Sequence, residues 1–441
     1  MNRLFPTLLL LSMLVSCSGN DTPTPEPEDT TTYVLADTTV VYECNERLFA
    51  KTKAFNAIQN YLPTLQELQV NVLWLMPVHP RGTVKSVGSP YCVKNYLAVD
   101  PAFGTMDDLR NLITDAHARG IRVMLDWVAN HTAWDNPWYQ THPEWYTTPT
   151  GDEKNWNDVV PLDYDQQVVR DTMTNTMLWW VREMDIDGFR CDYAHGAPAE
   201  FWEEAIRTLK EAKPSLIMLA ETSKSSYYKA GFDWLYSWDY LSGIQSLFKD
   251  GKTVASLLRT SNREYSNTPS GKERLRYITT HDASSENAPS TFYRTAEAEL
   301  AASCLTFFLA GVPMIYSSQE IGYLQKINFF DYKILDFGKD TWITYEWRNL
   351  MYGYKNTAIE RFGTIEDFST ESVAVFTKSQ KNRSILVVVN CSNEAQQVEI
   401  PATFVGKTVF SQLKGVGSWV DTLESTIDIP AYGYMVLAKR E

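Results

Sequence analysis

The octapeptide DIDGFRCD, residues 185–192, turns apolar from Ile186 to Phe189 and ends on a lone carboxylate, Asp192. It reads as a buried parallel strand emerging from its sheet. Two further segments have the same form. In SLIMLAE (215–221) the apolar run Ile217 to Ala220 precedes Glu221, and in RLRYITTHD (274–282) the run Tyr277 to Thr280 precedes Asp282. Taken singly, a carboxylate after a strand is most often a helix N-cap or a solvated loop charge. Three that converge suit glycosidic bond chemistry. One can attack the anomeric carbon, one can protonate the leaving oxygen, and a third can hold sugar hydroxyls and keep the acid's pKa raised.

Outward from these segments the chain alternates strand-like and helix-like stretches. TVVYECNERLF (39–49), VNVLWLMPV (70–78), IRVMLDWV (121–128), FDWLYSW (232–238) and VPMIYSS (312–318) complete eight candidate strands. Eight strands separated by helical patterns predict a (β/α)8 TIM barrel, whose sites lie at the C-terminal ends of the strands. In TMDDLRNLITDAHARG, Thr105 can cap, Met106, Leu109, Leu112, Ile113 and Ala116 recur at helical spacing, and Gly120 ends the run. From Asp165, residues Val168, Val169, Met173, Met177, Trp180, Val181 and Met184 repeat the pattern. Neither helix needs a functional explanation.

The polar and aromatic stretch 132–161 breaks the alternation after the third strand, a short excursion over the barrel top that leaves an open cleft. Its Trp134, Trp138, Trp145 and Trp156 offer faces for stacking on sugar rings, and the rest would pack a small loop subdomain. The barrel is assigned to 36–358. Short β runs in 359–441 predict a C-terminal antiparallel β-sandwich.

A chain of 441 residues exceeds a single core, which agrees with one large and one small domain. A net charge of -14 disfavours nucleic acid and anionic lipid surfaces as partners. At the N-terminus Arg3 precedes an apolar run, Leu4 to Val15, of signal-peptide length and too short to span a bilayer. Leu14-Val15-Ser16-Cys17 resembles a bacterial lipoprotein box, which makes 1–16 a signal peptide and Cys17 the lipidated residue. Residues 17–35, rich in Pro, Thr and acids, read as a flexible tether. The membrane is thus a partner through a lipid anchor only. Asp21, Glu26, Glu28 and Asp29 resemble surface-export tails of Bacteroidetes lipoproteins, and the expected location is the cell envelope, at the outer membrane. The remaining cysteines, 44, 92, 191, 304 and 391, are scattered and form no disulfide framework.

The ordered set of motifs resembles the α-amylase family, glycoside hydrolase family 13, from about Thr39 to the C-terminus. VLWLMPV, SPYCVKNYLAVDPAFGTMDDL, DWVANHT, GFRCD, the Glu221 segment, TTHD and GVPMIYSSQEIG match its signatures in chain order. The resemblance implies a retaining hydrolase of α-glucans such as starch or maltodextrins. Asp192 would be the nucleophile, Glu221 the general acid/base and Asp282 the transition-state stabiliser. It further implies that His131 and His281 bind hydroxyls of the sugar in the cleavage subsite, that Tyr91 stacks on that ring, and that Asp126, Asn130 and Tyr96 shape the site. Arg190, two residues before Asp192, shares its strand face and can keep it ionised. The chain departs from the family at His195 and Gly196, where a Lys and a His often contact the next sugar. It also departs at Pro161, which stands where an aspartate often joins Asn130 on a structural Ca²⁺. That ion would need Asp158 or Asp163 instead, and none is expected to serve the chemistry. Transglycosylation or cleavage of another α-linkage is the alternative within the enzyme class. A non-catalytic glycan-binding lipoprotein is the alternative outside it.

Overall fold

The computed structural model describes residues 39–358, 363–411 and 420–440. The expected signal peptide, Cys17 and the tether lie outside the described residues. Eight parallel strands close into a barrel: β1 (Val41–Cys44), β2 (Val72–Leu75), β3 (Arg122–Val128), β6 (Gly188–Asp192), β7 (Ile217–Ala220), β8 (Trp234–Leu235), β9 (Glu273–Arg276) and β10 (Val312–Tyr316). Their order around the barrel is β1-β10-β9-β8-β7-β6-β3-β2. The fold class is the one expected, although most strands are shorter than their apolar runs. The first ends at Cys44 because the Asn45 side chain accepts the Arg47 amide at 3.1 Å and caps a 3-10 turn. The ninth ends at Arg276. Thr280 then caps the short helix His281–Glu286 through the Ala283 amide at 3.2 Å, so Asp282 comes from a helical first turn and not from a strand end.

Side chains alternate across each strand, which sorts the barrel into two cores. Val41, Val72, Trp74, Met124, Ile217, Leu219, Leu275 and Met314 fill its interior. Tyr42, Leu73, Val123, Phe189 and Met218 face the surrounding helices. Continuing the inward parity one step up each strand places Glu43, Asp126, Arg190 and Glu221 above that apolar plug. Gly188 is needed here, since a Cβ on it would stand 2.4 Å from the Ile217 carbonyl of the neighbouring strand.

The helix Met106–Ala118 is capped by Thr105 and Asp108 as a reciprocal box, and Gly120 (φ 73°) follows its end. In the helix Gln167–Glu183 most of the expected stripe is buried, but Val168 is 45% exposed and faces solvent. The excursion folds on the antiparallel pair β4 (His131–Ala133) and β5 (Val159–Pro161), in which His131 lies opposite Pro161. Beyond the barrel, antiparallel strands form a six-stranded sheet and a two-stranded one, Gln396–Glu399 with Thr426–Ile429. Alternation along Val373–Gln380 and Arg383–Asn390 sends Ala374, Phe376, Ile385 and Val387 into the core shared with the barrel helices. Val375, Leu386 and Val388 pack with Val398 and Ile429 of the smaller sheet. The five described cysteines are free and buried.

Candidate active site

At the C-terminal rim of the barrel a cavity of about 370 Å³ is lined by Asp192, Glu221, Asp282, Tyr91, His131 and His281 together with aromatic walls. The sequence-derived residues therefore converge. Arg190 lies beneath them, wholly buried. Its Nη1 donates to Asp126 Oδ1 at 2.9 Å and to Asp192 Oδ1 at 3.0 Å. Its Nη2 stands 2.9 Å from Glu221 Oε1, an ion pair too oblique to be a hydrogen bond. Nε donates to the Tyr236 hydroxyl at 3.2 Å. One guanidinium thus fixes carboxylates from β3, β6 and β7.

Burial raises the carboxyl of Asp192 well above its ordinary range, and the charge of Glu221 adds to the rise while Arg190 opposes it. Glu221 is likewise raised by burial against the pull of Arg190. Two acids so coupled favour keeping one proton between them, and the stronger rise at Asp192 runs against the expectation that Arg190 alone keeps it ionised. Glu221 Oε2 also accepts the Tyr193 amide at 2.6 Å. Tyr193 is left-handed (φ 40°, ψ 48°), a conformation uncommon for a non-glycine residue, and that turn aims its N–H at the acid.

The two histidines differ in charge. A carboxylate only accepts, so at 2.9 Å from Glu153 Oε1 the Asn130 amide must present nitrogen. The same nitrogen lies 3.2 Å from His131 Nδ1, which is therefore the unprotonated acceptor, and Nε2–H donates to the Tyr91 carbonyl at 3.2 Å. Burial lowers His131 to about 4 and keeps it neutral. His281 is held up to about 9: burial works against its charge, but Asp282 and Glu43 outweigh it. Asp126 accepts from Arg190, from Trp74 Nε1 at 3.2 Å and from the Tyr91 hydroxyl at 3.0 Å. Tyr96 braces the loop through the Val128 and His131 carbonyls at 2.6 and 2.9 Å.

Of the excursion tryptophans only Trp156 lines the cavity, packing on His131 and Tyr193. Trp138 stacks on Tyr96, Trp145 stacks on His142, and Trp134 lies under Lys85. Neither His195 nor Gly196 lines the cavity. His195 packs on Tyr193, and a Cβ at Gly196 would stand 2.1 Å from Asn130 Oδ1. The carboxylate that Asn130 meets is Glu153, not Asp158 or Asp163, and Glu153 already caps Thr150 through its other oxygen at 2.9 Å. A hard cation takes six to eight oxygens. Here the donor set is one amide oxygen closed against Gly196 and a carboxylate engaged at both oxygens, which does not fit Ca²⁺. Among the described residues no three His, Cys, Asp or Glu side chains gather as metal ligands.

Sequence reasoning missed Glu43, Tyr193, Phe329 and Phe330. Phe329 and Phe330 wall the cavity, and Phe329 meets both Tyr91 and His281 edge-on. Glu43 had a readable signal, an acid sharing inward parity with Val41 in a buried strand. The aromatic walls follow no periodicity and had none.

A family model described as "Alpha amylase, catalytic domain" matches residues 52–158. The chain is 25% identical over 429 residues to "Alpha-amylase MalA" of Haloarcula japonica, covering 90% of this chain and 62% of that protein. It is 29% identical over 195 residues, 38% of this chain, to an "Alpha-1,4-glucan:maltose-1-phosphate maltosyltransferase" of Myxococcus xanthus, of which it covers 29%. The chain thus spans less than two thirds of the length of these relatives. Among solved structures, a "noncanonic maltogenic alpha-amylase AmyB" from Thermotoga neapolitana superposes with a TM-score of 0.81 at 26% identity, covering 92% of this chain and 99% of that one.

Replacing Arg190 by Met leaves the buried Asp126 and the partly buried Asp192 and Glu221 without their cation. We expect a loss of about 3–5 kcal/mol at neutral pH in urea unfolding. The loss should shrink as the pH falls, because the carboxyls, their pKa values raised further, take up protons in the folded state. An unfolding midpoint unchanged at neutral pH would contradict the central place given to this side chain.

Proposed function

We propose that the chain, whose residues 52–158 match an α-amylase catalytic-domain model and whose fold superposes on a maltogenic α-amylase, is a retaining α-glycoside hydrolase acting on α-glucans such as starch, maltodextrins or related oligosaccharides. The observation that carries this is the Arg190 fork, which brings Asp192 and Glu221 to adjacent nitrogens of one guanidinium in the wall of the cavity. One arginine shared by the two acids lets one stay ionised as a nucleophile while the other carries a proton as the acid; retention requires the carboxyls about 5–5.5 Å apart, and inversion about 6.5–9.5 Å.

In the first step Asp192 attacks the anomeric carbon while Glu221 gives its proton to the leaving oxygen. Loss of that proton leaves Glu221 ionised beside Arg190 and the Tyr193 amide, which stabilise the anion. Glu221 then takes a proton from water, which releases the sugar from Asp192 with the original anomeric configuration. Asp282, half exposed at the rim, reaches hydroxyls of the bound ring. Tyr91 offers its face to that ring, and His131 and His281 flank it.

Transglycosylation is the second reading within this mechanism, favoured by the likeness to a maltosyltransferase over 195 residues and by apolar walls at Trp156, Phe329 and Phe330 that would slow water's approach to the intermediate. A purely glycan-binding role would not require the acids to be paired over a buried arginine. No metal enters the chemistry in this reading. We also propose that the protein is anchored through a lipidated Cys17 at the outer membrane with its barrel facing outward, from the lipobox-like Leu14–Cys17 and the acidic stretch after it.

Asp192→Asn and Glu221→Gln should each lower kcat by several orders of magnitude with the fold intact, and NMR of early products should show the α-anomer. Full activity in either folded variant, or a β-anomeric product, would refute the roles. Chelation with EDTA should leave activity and melting temperature unchanged; a large fall in melting temperature that calcium restores would show that other oxygens hold the ion. For location, the mature protein should partition with membranes, and Cys17→Ala should release it or block its processing. Mass spectrometry finding an unmodified N-terminus would rule lipidation out.

A further inference from the structure

We propose that Glu43 is a positioning residue of the sugar-binding subsite, whose buried carboxylate holds the His281 ring as a doubly protonated donor facing the substrate. The proposal rests on the hydrolase reading above and deepens it.

The hydrogen bonds assign the proton on Nε2, and the carboxylates around the ring favour a second one on Nδ1. Asp126 receives Arg190, Trp74 and Tyr91, a set of donors that suits only an ionised carboxylate. The single hydroxyl proton of Tyr91 therefore points to Asp126 at 3.0 Å. At the 2.7 Å contact between the Tyr91 oxygen and His281 Nε2, the ring nitrogen must then be the donor. At the other side of the ring Nδ1 meets Glu43 Oε1, and Asp282 and Glu43 together hold the ring's pKa up to about 9, which favours the proton on the imidazole. Two acceptors on two ring nitrogens call for an imidazolium. Its Nε2 also stands 3.3 Å from Asp282 Oδ2, so the proton aimed into the cavity is shared among Tyr91, Asp282 and any hydroxyl that enters.

The charged surroundings come from every side. Glu43 approaches from β1, Asp126 from β3, Arg190 from β6, Glu221 from β7 and Asp282 from the ring's own helix, while the Tyr316 hydroxyl lies near Glu43 on β10. Burial raises the Glu43 carboxyl, and the charge of His281 opposes that rise. Glu43 is fully buried, and its Oε2 has no hydrogen-bond partner. That is a costly arrangement for packing alone. Because the folded pKa of His281 lies above the ordinary value of about 6.5, the pair stabilises the fold below that pH and loses this contribution as the pH climbs through about 9.

Glu43→Gln keeps the shape and an acceptor for Nδ1 but removes the charge, so the ring should fall back to a neutral form with Nε2 bare. Imidazole NMR of ¹⁵N-histidine protein should place His281 near 9 in the wild type and at least one pH unit lower in the variant. The alkaline limb of kcat/KM on maltodextrin should move down by the same amount, with the loss growing about tenfold per pH unit between the new limb and the wild-type limb near 9, then staying constant, and lying mainly in KM. In an His281→Asn background the Glu43→Gln substitution should cost little further. A wild-type ring titrating near 6.5, an unmoved ring in a folded variant, or losses equal at every pH and additive with His281→Asn would overturn the proposal. A wild type inactive on every α-glucan would sink the hydrolase reading instead, and the ring titration would still decide the hold of Glu43 on His281.

Discussion

A charged guanidinium with no exposed surface has to be matched by anions in fixed positions, and Arg190 meets that requirement with Asp126, Asp192 and Glu221. The demand is mutual. Buried carboxylates without a cation would take up protons, and a buried cation without carboxylates would cost several kcal/mol. The barrel supplies the geometry because inward parity on three adjacent strands sends these side chains above one apolar plug. Asp126 and Arg190 stand opposite each other in the β3–β6 ladder, and the close approach of β7 depends on Gly188. The fold thus concentrates charge where its interior changes from hydrocarbon to solvent, and that boundary is where the cavity lies.

Environment then divides like residues into unlike states. His131 and His281 both border the cavity, yet one is neutral at an amide nitrogen and the other is charged between carboxylates. Three acids at the rim also differ. Asp192 and Glu221 are tied to the buried arginine, while Asp282 is half open to solvent on a short helix. In the proposed mechanism the same side-chain chemistry would serve attack, proton transfer and hydroxyl binding because burial and partners differ, not because the residues do.

Much of this was legible in the sequence because periodicity and strand-end carboxylates are local signals. The eight strands, the capping of the helix after Thr105 and the convergence of Asp192, Glu221 and Asp282 all follow from such signals. What was not legible depends on competition or on distant partners. The run to Asp282 looked like one strand, but the Thr280 side chain captures an amide and starts a helix. Val168 fits a helical stripe yet lies beyond the edge of the surface that the barrel covers. The pairing of Asn130 with Glu153 spans 23 residues of irregular chain, and the contact of Glu43 with His281 spans 238, so neither leaves a pattern in either segment.

The claim on which the account turns is that Asp192 forms the bond to sugar while Glu221 moves the proton. The most direct measurement is to trap the intermediate with a 5-fluoro-α-glucosyl fluoride, which forms the covalent adduct faster than it breaks down, and to locate it by peptide mass spectrometry. The account predicts one added glycosyl mass on the peptide that carries Asp192, and none after Asp192→Asn. A label on the Glu221 or Asp282 peptide, or turnover of the inhibitor with no adduct and inverted product, would contradict it.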